Sequence, residues 1–491
     1  MFQKIKAFLF KNTSSRQTVA KNTIWLTISN LGGRLIKAII IIYAARVLGT
    51  ADYGVFSYAL TLAGFLSLFM DPGINGILMR NAAGASDEER RKLFGTTFFI
   101  KILLLIPGIA IVIFLAPYFT TLPGAIALLP IVALVLALDT LREFFSSLFR
   151  AMEEMEKEAL VFLITNVAIV IFGFLFLRFA VTAKSFGWGY VAGDALGCVI
   201  AIFIIRRHFK NLASNFSIDS VMPILKAAWP FAISGAIGFL FTNSDILIIS
   251  WMRTASEVGI YSAAIRIVQT LYMVPGIIQL TTLPLLARLA KNNSEKFGDA
   301  LERTLCMIFF ASIPLAIGGV ILGTGLMTFV FGAAYQSGGL AFKILMATLL
   351  FDFPASIIIS ALFVRNNQKS MIVSSAVGGV LNVVLDLALI PRFGMAGSAI
   401  ATLIAQAANN WYLWHAMNKI TPFSVIPRLG KMATAGIAMG LCAFLLQYAG
   451  ANIVLNIVAS AATYFFMIKL LKDPITEEIL QTLPIGRKAL S

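Results

Sequence analysis

Apolar runs of about 20 residues recur along the whole chain, and each is long enough to cross the ~30 Å hydrocarbon core of a bilayer as an α-helix. The sequence is 59% hydrophobic and only 13% charged, whereas a soluble protein carries roughly 25% charged residues. We therefore predict an all-α polytopic membrane protein without a sizeable soluble domain. Fourteen spanning helices are predicted, near residues 20–45, 53–80, 93–116, 124–150, 159–181, 186–207, 225–251, 256–286, 301–322, 338–364, 370–390, 394–417, 429–449 and 452–470.

Lysine and arginine are concentrated in alternate connections between the predicted helices. The basic segments are 80–92, 206–226, 288–303, 419–431 and both termini. The intervening loops carry few cations, namely Arg46, Arg178, Lys184, Arg253 and Arg392. The positive-inside rule then places both termini in the cytoplasm. Because this distribution accounts for the net charge of +16, we predict no nucleic-acid partner.

The sequence offers little for catalysis. The motifs HExxH, GxxxxGK[ST], GxSxG and DxD are absent, and Cys198, Cys306 and Cys442 have no paired spacing. Membrane polymerases and glycosyltransferases usually need a large external loop with acidic catalytic residues, but the loops at 116–124 and 323–337 are short and uncharged. We predict that the chain is not an enzyme and carries no cofactor, with Na⁺ as a candidate coupling ion.

Three pairs of segments indicate an internal duplication. The stretch GTADYGVFSYALTL at 49–62 reappears as RTASEVGIYSAAIRI at 253–267, where Gly54 matches Gly259. Two further pairs follow in the same order: LFRAMEEMEK at 148–157 with LFVRNNQKSM at 362–371, and FGWGYV at 186–191 with FGMAGS at 393–398.

The duplication predicts three domains: an N-terminal lobe of six helices at 1–213, a C-terminal lobe of six helices at 214–421, and two extra helices with a cytoplasmic tail at 422–491. An even number of helices per lobe inserts both lobes the same way up, so their pseudo-twofold axis runs along the membrane normal.

The pattern ARVLGTADYGVFSYALTLAGFLSLFMDPGI and the loop LFRAMEEMEK resemble polysaccharide-biosynthesis flippases of the Wzx, or O-antigen flippase, type. These belong to the multidrug/oligosaccharidyl-lipid/polysaccharide (MOP) exporter superfamily, together with lipid II flippases and MATE drug exporters. The resemblance covers nearly the whole chain and implies two six-helix lobes in a V shape.

The resemblance also implies a function. An undecaprenyl-diphosphate-linked oligosaccharide, such as an O-antigen or exopolysaccharide repeat unit, would move to the outer leaflet of a bacterial or archaeal plasma membrane by alternating access. The implied partners are this lipid-linked glycan, membrane lipids, a polysaccharide polymerase and chain-length proteins.

The first predicted helix carries a polar stripe. Thr23, Thr27, Asn30, Arg34 and Lys37 recur at steps of four and three residues, so they share one helix face. A charge at the bilayer centre costs roughly 2.5–3.5 kcal/mol. A water-filled cleft therefore explains this polar stripe better than contact with lipid does. In lipid II flippases an arginine on the first helix contacts the substrate, and Arg34 falls at that position when ARVLG is aligned.

Four more cations lie inside predicted helices: Lys101, Arg142, Arg266 and Lys343. A cationic cleft suits a diphosphate, since arginine grips two oxygens and lysine acts as a point charge. The predicted substrate-binding set is Asn30, Arg34, Lys37, Arg142, Arg266 and Lys343.

Each of these cations also has a structural interpretation. Arg142 lies one turn from Asp139 and can form an intramembrane ion pair, and Lys101 can extend toward the cytoplasm along its aliphatic stem. For Arg34, Lys37 and Arg266, the alternative is an ion pair with one of two acids, Asp71 or Asp245.

A second polar group lies in the C-terminal lobe. Asn382 and Asp386 are four residues apart on one helix, Ser398 and Thr402 are four apart on the next, and Asp245 lies on the seventh. Gathered oxygen ligands suit a hard cation, and the set resembles the sodium site of lipid II flippases. That family has a hydrophobic residue at the place of Ser398 and uses its backbone carbonyl. The alternative is polar contact between helices, worth about 0.6 kcal/mol each.

Three other functions compete with the predicted flippase of O-antigen type. A lipid II flippase would move the same lipid diphosphate with a different glycan. A MATE-like cation-coupled drug exporter would favour carboxylates over cations in the N-terminal lobe, so Arg34 and Lys37 favour an anionic cargo. A scaffold without transport would leave the polar stripe unexplained.

Overall fold

The computed structural model describes residues 15–82, 85–206, 215–292 and 294–471, and the described residues form helices and turns without any strand. The predicted cytoplasmic tail beyond residue 471 and part of the basic segment 206–226 lie outside these residues. The helices are α1 Ser15–Leu66, α2 Ile74–Ala82, α3 Asp87–Ala110, α4 Leu129–Ala151, α5 Met155–Phe179, α6 Ala183–Ile205, α7 Val221–Met252, α8 Ala255–Leu271, α9 Met273–Asn292, α10 Ser294–Phe331, α11 Gly339–Ala347, α12 Leu349–Val364, α13 Gln368–Ile420, α14 Gly430–Tyr448 and α15 Ile453–Leu470.

Two of these helices each contain two membrane crossings. Helix α1 breaks at Gly49 (φ 75°, ψ 178°) and α13 breaks at Gly394 (φ 57°, ψ −138°). Such positive φ values favour glycine because it has no Cβ. Helices α8 and α9 together form one crossing, as do α11 and α12, while α2 is too short to cross. The prediction of fourteen spanning helices is thereby confirmed.

The outward faces of the helices are apolar. On α3, Leu103 and Ile106 are each 67% exposed, and Phe179 at the end of α5 is 81% exposed. Ten helical segments in the described chain are long and apolar enough to cross a membrane. Apolar faces of this extent suit lipid rather than water, and the protein is a multi-pass membrane protein.

The described chain packs into two units, which divide between Gly259 and Ile260. The first unit contains α1 to α7 and the beginning of α8, and the second contains the remainder. This division follows packing, whereas the predicted lobe boundary at 213/214 follows the sequence repeat and stays a prediction.

A glycine face brings α6 into backbone contact with α5. Gly189, Gly193 and Gly197 are spaced four residues apart on α6, so they lie on one side of the helix. A Cβ at Gly189 would lie 2.7 Å from the Cα of Gly173, and one at Gly193 would lie 2.7 Å from the backbone nitrogen of Ile169. Small residues at this spacing let membrane helices approach closely. This close contact fixes the position of α6 against α5.

The same turn occurs once in each unit, inside the repeat that includes LFRAMEEMEK. Glu153 after α4 and Asn366 after α12 both have φ of 58°, and they are the two non-glycine residues with positive φ in the described chain. The amide of Glu154 donates to the carbonyl of Phe149 at 2.9 Å, and that of Asn367 donates to Leu362 at 2.9 Å. Both are Schellman-type helix ends, which agrees with a duplicated origin.

The two C-terminal helices are anchored within the second unit. Asn456 of α15 donates to the carbonyl of Ala443 on α14 at 2.9 Å, and the Tyr464 hydroxyl donates to the carbonyl of Phe310 on α10 at 3.0 Å. A buried polar contact of this kind fixes the rotation of a helix in an apolar surrounding.

We expect Gly193→Ala to destabilise the first unit, because the added methyl group would press on the Ile169 backbone. Overpacking typically costs about 1–3 kcal/mol. The matched control is Gly238→Ala in α7, where nothing lies within 4 Å of the added atom and helix propensity favours alanine by ~0.5–1 kcal/mol. Thermal unfolding in detergent should give a lower Tm for Gly193→Ala and an equal or higher Tm for Gly238→Ala. Equal Tm values for the two variants would contradict the close packing of α5 and α6.

Candidate functional site

Arg34 lies on the first arm of α1 with its side chain exposed. The preceding residue, Gly33, packs so closely on α5 that a Cβ there would clash with the ring of Phe162. This contact holds the backbone of α1 against α5. Among the residues that the structure describes, no carboxylate lies within ion-pair distance of Arg34. Asn30, one turn earlier, is exposed as well and donates to the carbonyl of Leu26 at 2.8 Å.

Lys37 is half-buried one turn beyond Arg34. Its Nζ lies 4.9 Å from the centroid of the Tyr190 ring on α6, a distance at which a cation and an aromatic face attract each other. It also interacts electrostatically with Asp139 and Asp194. Lys37 thus has an aromatic ring and two interacting acids inside its own unit.

Arg142 on α4 is buried and paired. Its Nη2 lies 2.5 Å from Oδ1 of Asp139, its Nη1 lies 3.9 Å from Oε2 of Glu143, and its guanidinium lies 5.5 Å from the Phe162 ring centroid. The ion-pair interpretation of Arg142 is confirmed. Contact between Arg142 and a substrate stays a prediction.

The ionic contacts continue along α4 toward the start of α5. Arg150 lies 2.9 Å from Glu143 and 2.5 Å from the largely buried Glu158, and Lys21 of α1 pairs with Glu156 at 2.8 Å. These groups lie at the end of the unit that the charge distribution assigns to the cytoplasm. Shared ion pairs link Arg142, Glu143, Arg150 and Glu158 into a network, whereas Lys21 and Glu156 form a separate pair.

Lys101 on α3 is fully buried and lies 3.1 Å from Oδ2 of Asp71. The hypothesis that Lys101 extends to the cytoplasm is therefore wrong, because an acid is available inside the unit. The other oxygen of Asp71 accepts from the amides of Gly73 at 3.1 Å and Ile74 at 2.8 Å, at the start of α2. The partner of Asp71 is thus Lys101, and not Arg34, Lys37 or Arg266.

Sequence reasoning missed Asp194. This acid is 3% exposed on α6, on the face that also carries Tyr190 and Cys198. The Cys198 thiol donates to the carbonyl of Leu138 on α4 at 3.1 Å. Asp194 interacts electrostatically with Asp139, Lys37 and Arg142, so the structure gathers two predicted cations around two acids. A lone acid inside an apolar span is the signal that marks it.

The remaining predicted cations lie in the second unit. Arg266 on α8 is half-buried, and its Nη1 donates to Oε1 of Gln269 at 3.2 Å. Lys343 on α11 is half-buried, with its stem close to Gly323 of α10. A partly buried polar contact that the sequence did not reveal joins α12 to the residue between α8 and α9, where the Tyr272 hydroxyl donates to Asp352 at 2.6 Å.

The predicted sodium ligands of the second unit all lie on α13. Asn382 and Asp386 are both buried, and the amide of Asn382 donates to Oδ2 of Asp386 at 3.2 Å. Ser398 is buried beyond the break at Gly394, and its carbonyl accepts from the Thr402 hydroxyl at 3.0 Å. The fifth candidate, Asp245, is buried in α7 of the first unit, where it accepts from the amide of Ile246.

These residues fit an alkali cation. All of them present oxygen, and the hydroxyl of Ser398 is buried without a hydrogen-bond partner in the described chain. No group of three or more His, Cys, Asp or Glu residues suited to a metal ion occurs in that part of the chain. Carboxylate, amide and hydroxyl oxygens are ligands that suit a hard cation.

A family model described as polysaccharide biosynthesis protein matches residues 19–290. The chain is 24% identical over 398 residues to a probable low-salt glycan biosynthesis flippase of Haloferax volcanii, with 80% of this chain and 82% of that protein covered. It is 22% identical over 399 residues to a putative O-antigen transporter of Shigella flexneri, with 78% and 94% covered. The lipid II flippase MurJ, solved in an inward closed conformation, is similar in structure with a TM-score of 0.75 at 18% identity, covering 91% of this chain and 98% of that one.

We expect Lys101→Met to destabilise the first unit, because it leaves the partly buried Asp71 without its cation. Removing one partner of a fully buried pair costs roughly 3–5 kcal/mol, which is the upper limit for this change. Adding Asp71→Asn should recover much of this loss, since asparagine is neutral and still offers an oxygen to the amides of Gly73 and Ile74. Folded yield and Tm in detergent measure both effects. A double variant that is no more stable than Lys101→Met alone would show that the two side chains do not compensate each other.

Proposed function

This chain belongs to the polysaccharide biosynthesis protein family, and from that membership we propose that it is a flippase for a polyprenyl-diphosphate-linked oligosaccharide. The cargo is an O-antigen or exopolysaccharide repeat unit linked to undecaprenyl diphosphate. It crosses the plasma membrane from the cytoplasmic to the outer leaflet by alternating access. The chain acts as a transporter and not as an enzyme, and both termini lie in the cytoplasm.

The observation that carries the proposal is Arg34. It stands on a membrane-crossing arm, exposed, with no carboxylate of the described chain in ion-pair range, although every charge inside a membrane is expensive. Such a cation is retained because an anion reaches it. The similar proteins named as a glycan biosynthesis flippase and an O-antigen transporter support a lipid-linked glycan as the source of that anion.

Each part of the substrate meets a different surface. The guanidinium of Arg34 can donate two parallel hydrogen bonds to a diphosphate, and the amide of Asn30 lies one turn away on the same side of α1. The polyprenyl tail stays in lipid, where the exposed apolar faces of the helices lie. The glycan needs polar groups and water, which explains a polar stripe on α1 in place of a continuous apolar face.

One observation favours a second candidate, a cation exporter. Asp139 and Asp194 are carboxylates inside the first unit, and acids of this kind attract cationic drugs. In the structure, however, both acids already interact with Lys37 and Arg142. Arg34 has no carboxylate of the described chain in ion-pair range, so we place an anionic cargo first. A lipid II flippase carries the same diphosphate, and the same cations would serve it.

We expect Arg34→Ala to insert and fold normally but to fail in export, because the residue has no carboxylate partner in the described chain to leave unpaired. Arg34→Lys should rescue only in part, since an ammonium keeps the charge but loses the fork that holds two oxygens. Expression and export of the glycan in a flippase-deficient strain are measured on the same variants. The control is Arg178→Ala, an exposed arginine at the end of α5, which should export normally.

Two outcomes would contradict this role. Export by Arg34→Ala at the wild-type rate would remove the residue from the substrate site. Loss of folded protein in Arg34→Ala, with the control intact, would indicate a structural ion pair, because removing one partner of a buried pair costs roughly 3–5 kcal/mol.

We also propose that Na⁺ is the coupling ion, held by Asn382, Asp386, Ser398 and Thr402 of the second unit. The support is that Asn382, Asp386 and Ser398 are buried polar residues of α13, and that the side chains of Asn382 and Asp386 are in contact. A bound Na⁺ would supply positive charge that neutralises Asp386 and would favour the conformation in which these oxygens converge.

We expect Na⁺, compared with K⁺ at equal ionic strength, to raise the Tm of the wild type, because a ligand stabilises the state that it binds by RT ln(1 + [L]/Kd). Asp386→Ala should abolish the difference between the two salts. Asp299→Ala, which removes an exposed acid on α10 of the same unit, should retain it. Equal Tm values in Na⁺ and K⁺ for the wild type would leave Asn382 and Asp386 as a polar contact only.

A further inference from the structure

Two cations and two acids meet inside the first unit, on three different helices. Lys37 comes from α1, Asp139 and Arg142 come from α4, and Asp194 comes from α6. Arg142 and Asp194 are buried, whereas the side chain of Asp139 is 49% exposed. These four residues are formally neutral among themselves, and Asp139 can be reached from outside the packed core. Glu143 is a further acid, with Oε2 3.9 Å from Nη1 of Arg142.

The position of Asp194 follows from its neighbours one turn away on either side. Tyr190 contacts the Nζ of Lys37 at 4.9 Å, and the Cys198 thiol contacts the carbonyl of Leu138, next to Asp139, at 3.1 Å. Residues four apart share a helix face, so Asp194 lies between α1 and α4. Its carboxylate interacts there with Lys37, Asp139 and Arg142.

The acids use only part of the hydrogen-bonding capacity of the Arg142 guanidinium. Within the described chain, only Nη2 of Arg142 donates to a carboxylate, while Nε and Nη1 are buried without a hydrogen-bond partner. A guanidinium has five N–H groups in a fixed fork. A monodentate acid therefore satisfies Arg142 incompletely, and a phosphate group that offers several oxygens would satisfy it better.

We propose that Asp139 and Asp194 are internal counter-ions that compete with the diphosphate of the substrate for Lys37 and Arg142. This inference rests on the proposed function, since it assumes an anionic head group that enters the unit after meeting Arg34. Without substrate, the acids keep the two cations neutralised and the unit stable. With substrate, the diphosphate displaces them, and the displaced acids promote its later release.

Packing does not account for these acids. The contact between α5 and α6 is made by Gly189, Gly193 and Gly197, and a neutral amide at Asp194 would have the same shape as the acid. Asp139 is half-exposed, so its removal leaves no cavity in a core. What both acids contribute is negative charge beside Lys37 and Arg142.

The test measures binding of undecaprenyl diphosphate to the purified full-length chain in detergent by titration calorimetry. Asp194→Asn should bind about tenfold more tightly than the wild type, because it removes one negative charge that interacts with both cations. Asp139→Asn should show a gain of the same sign. The matched control is Asp52→Asn, the same change at an exposed acid on the second arm of α1, which should leave the affinity unchanged.

A double-variant cycle then assigns the gain to a cation. The tightening caused by Asp194→Asn should largely disappear in a Lys37→Met background, because the competed cation is absent. A purely structural role for Asp194 would lower the Tm without raising affinity. If Asp194→Asn yields no folded protein, Asp139→Asn gives the same comparison at a half-exposed position.

The outcomes separate the two hypotheses. Wild-type binding with no gain in either acid variant would overturn the counter-ion role and leave the proposed function standing. The gain in affinity from Asp194→Asn could also persist in the Lys37→Met background and be matched by Asp52→Asn. That result would show an effect of net charge alone, and it would overturn the counter-ion role equally. Failure of the wild type to bind the lipid diphosphate would refute the proposed function itself.

Discussion

The expense of placing charge in hydrocarbon is the constraint on which the interior of this protein depends. A membrane offers no water to solvate an isolated ammonium or carboxylate, so each internal charge needs a partner or an opening. Lys101 meets this need through Asp71, and Arg142 meets it through Asp139. The first unit is thus an apolar bundle threaded by a nearly neutral ionic network. Arg34 stands out because it does not join that network.

The network in turn depends on how closely the helices approach. Acids and cations on α1, α4 and α6 can interact only because α5 and α6 are drawn together by glycines and because Gly33 lets α1 lie on α5. The residues that position the charged side chains are therefore mostly glycines. The chemistry of the site and the packing that supports it are carried by separate sets of residues on the same helices.

Much of this fold follows from the sequence, since apolar length and charge alternation act locally. The spans, the breaks near Gly49 and Gly394, and the Arg142–Asp139 pair all involve residues close together in the chain. The partners of Lys101 and Lys37 could not be predicted, because those contacts join different helices and depend on helix rotation. Asp194 itself is marked in the sequence as a lone acid inside an apolar span, but its neighbours on α1 and α4 depend on the same helix rotation.

The single-residue break at Gly49 has a consequence for how the protein enters the membrane. The first arm of α1, with Arg34 and Lys37, is a poor candidate for insertion on its own. The second arm follows after one glycine and carries the buried apolar residues Phe56, Leu62 and Leu66. No loop remains between them that could be translocated separately, so the two arms enter the bilayer together as a helical hairpin. The apolar second arm thereby assists the insertion of the charged first arm during biosynthesis.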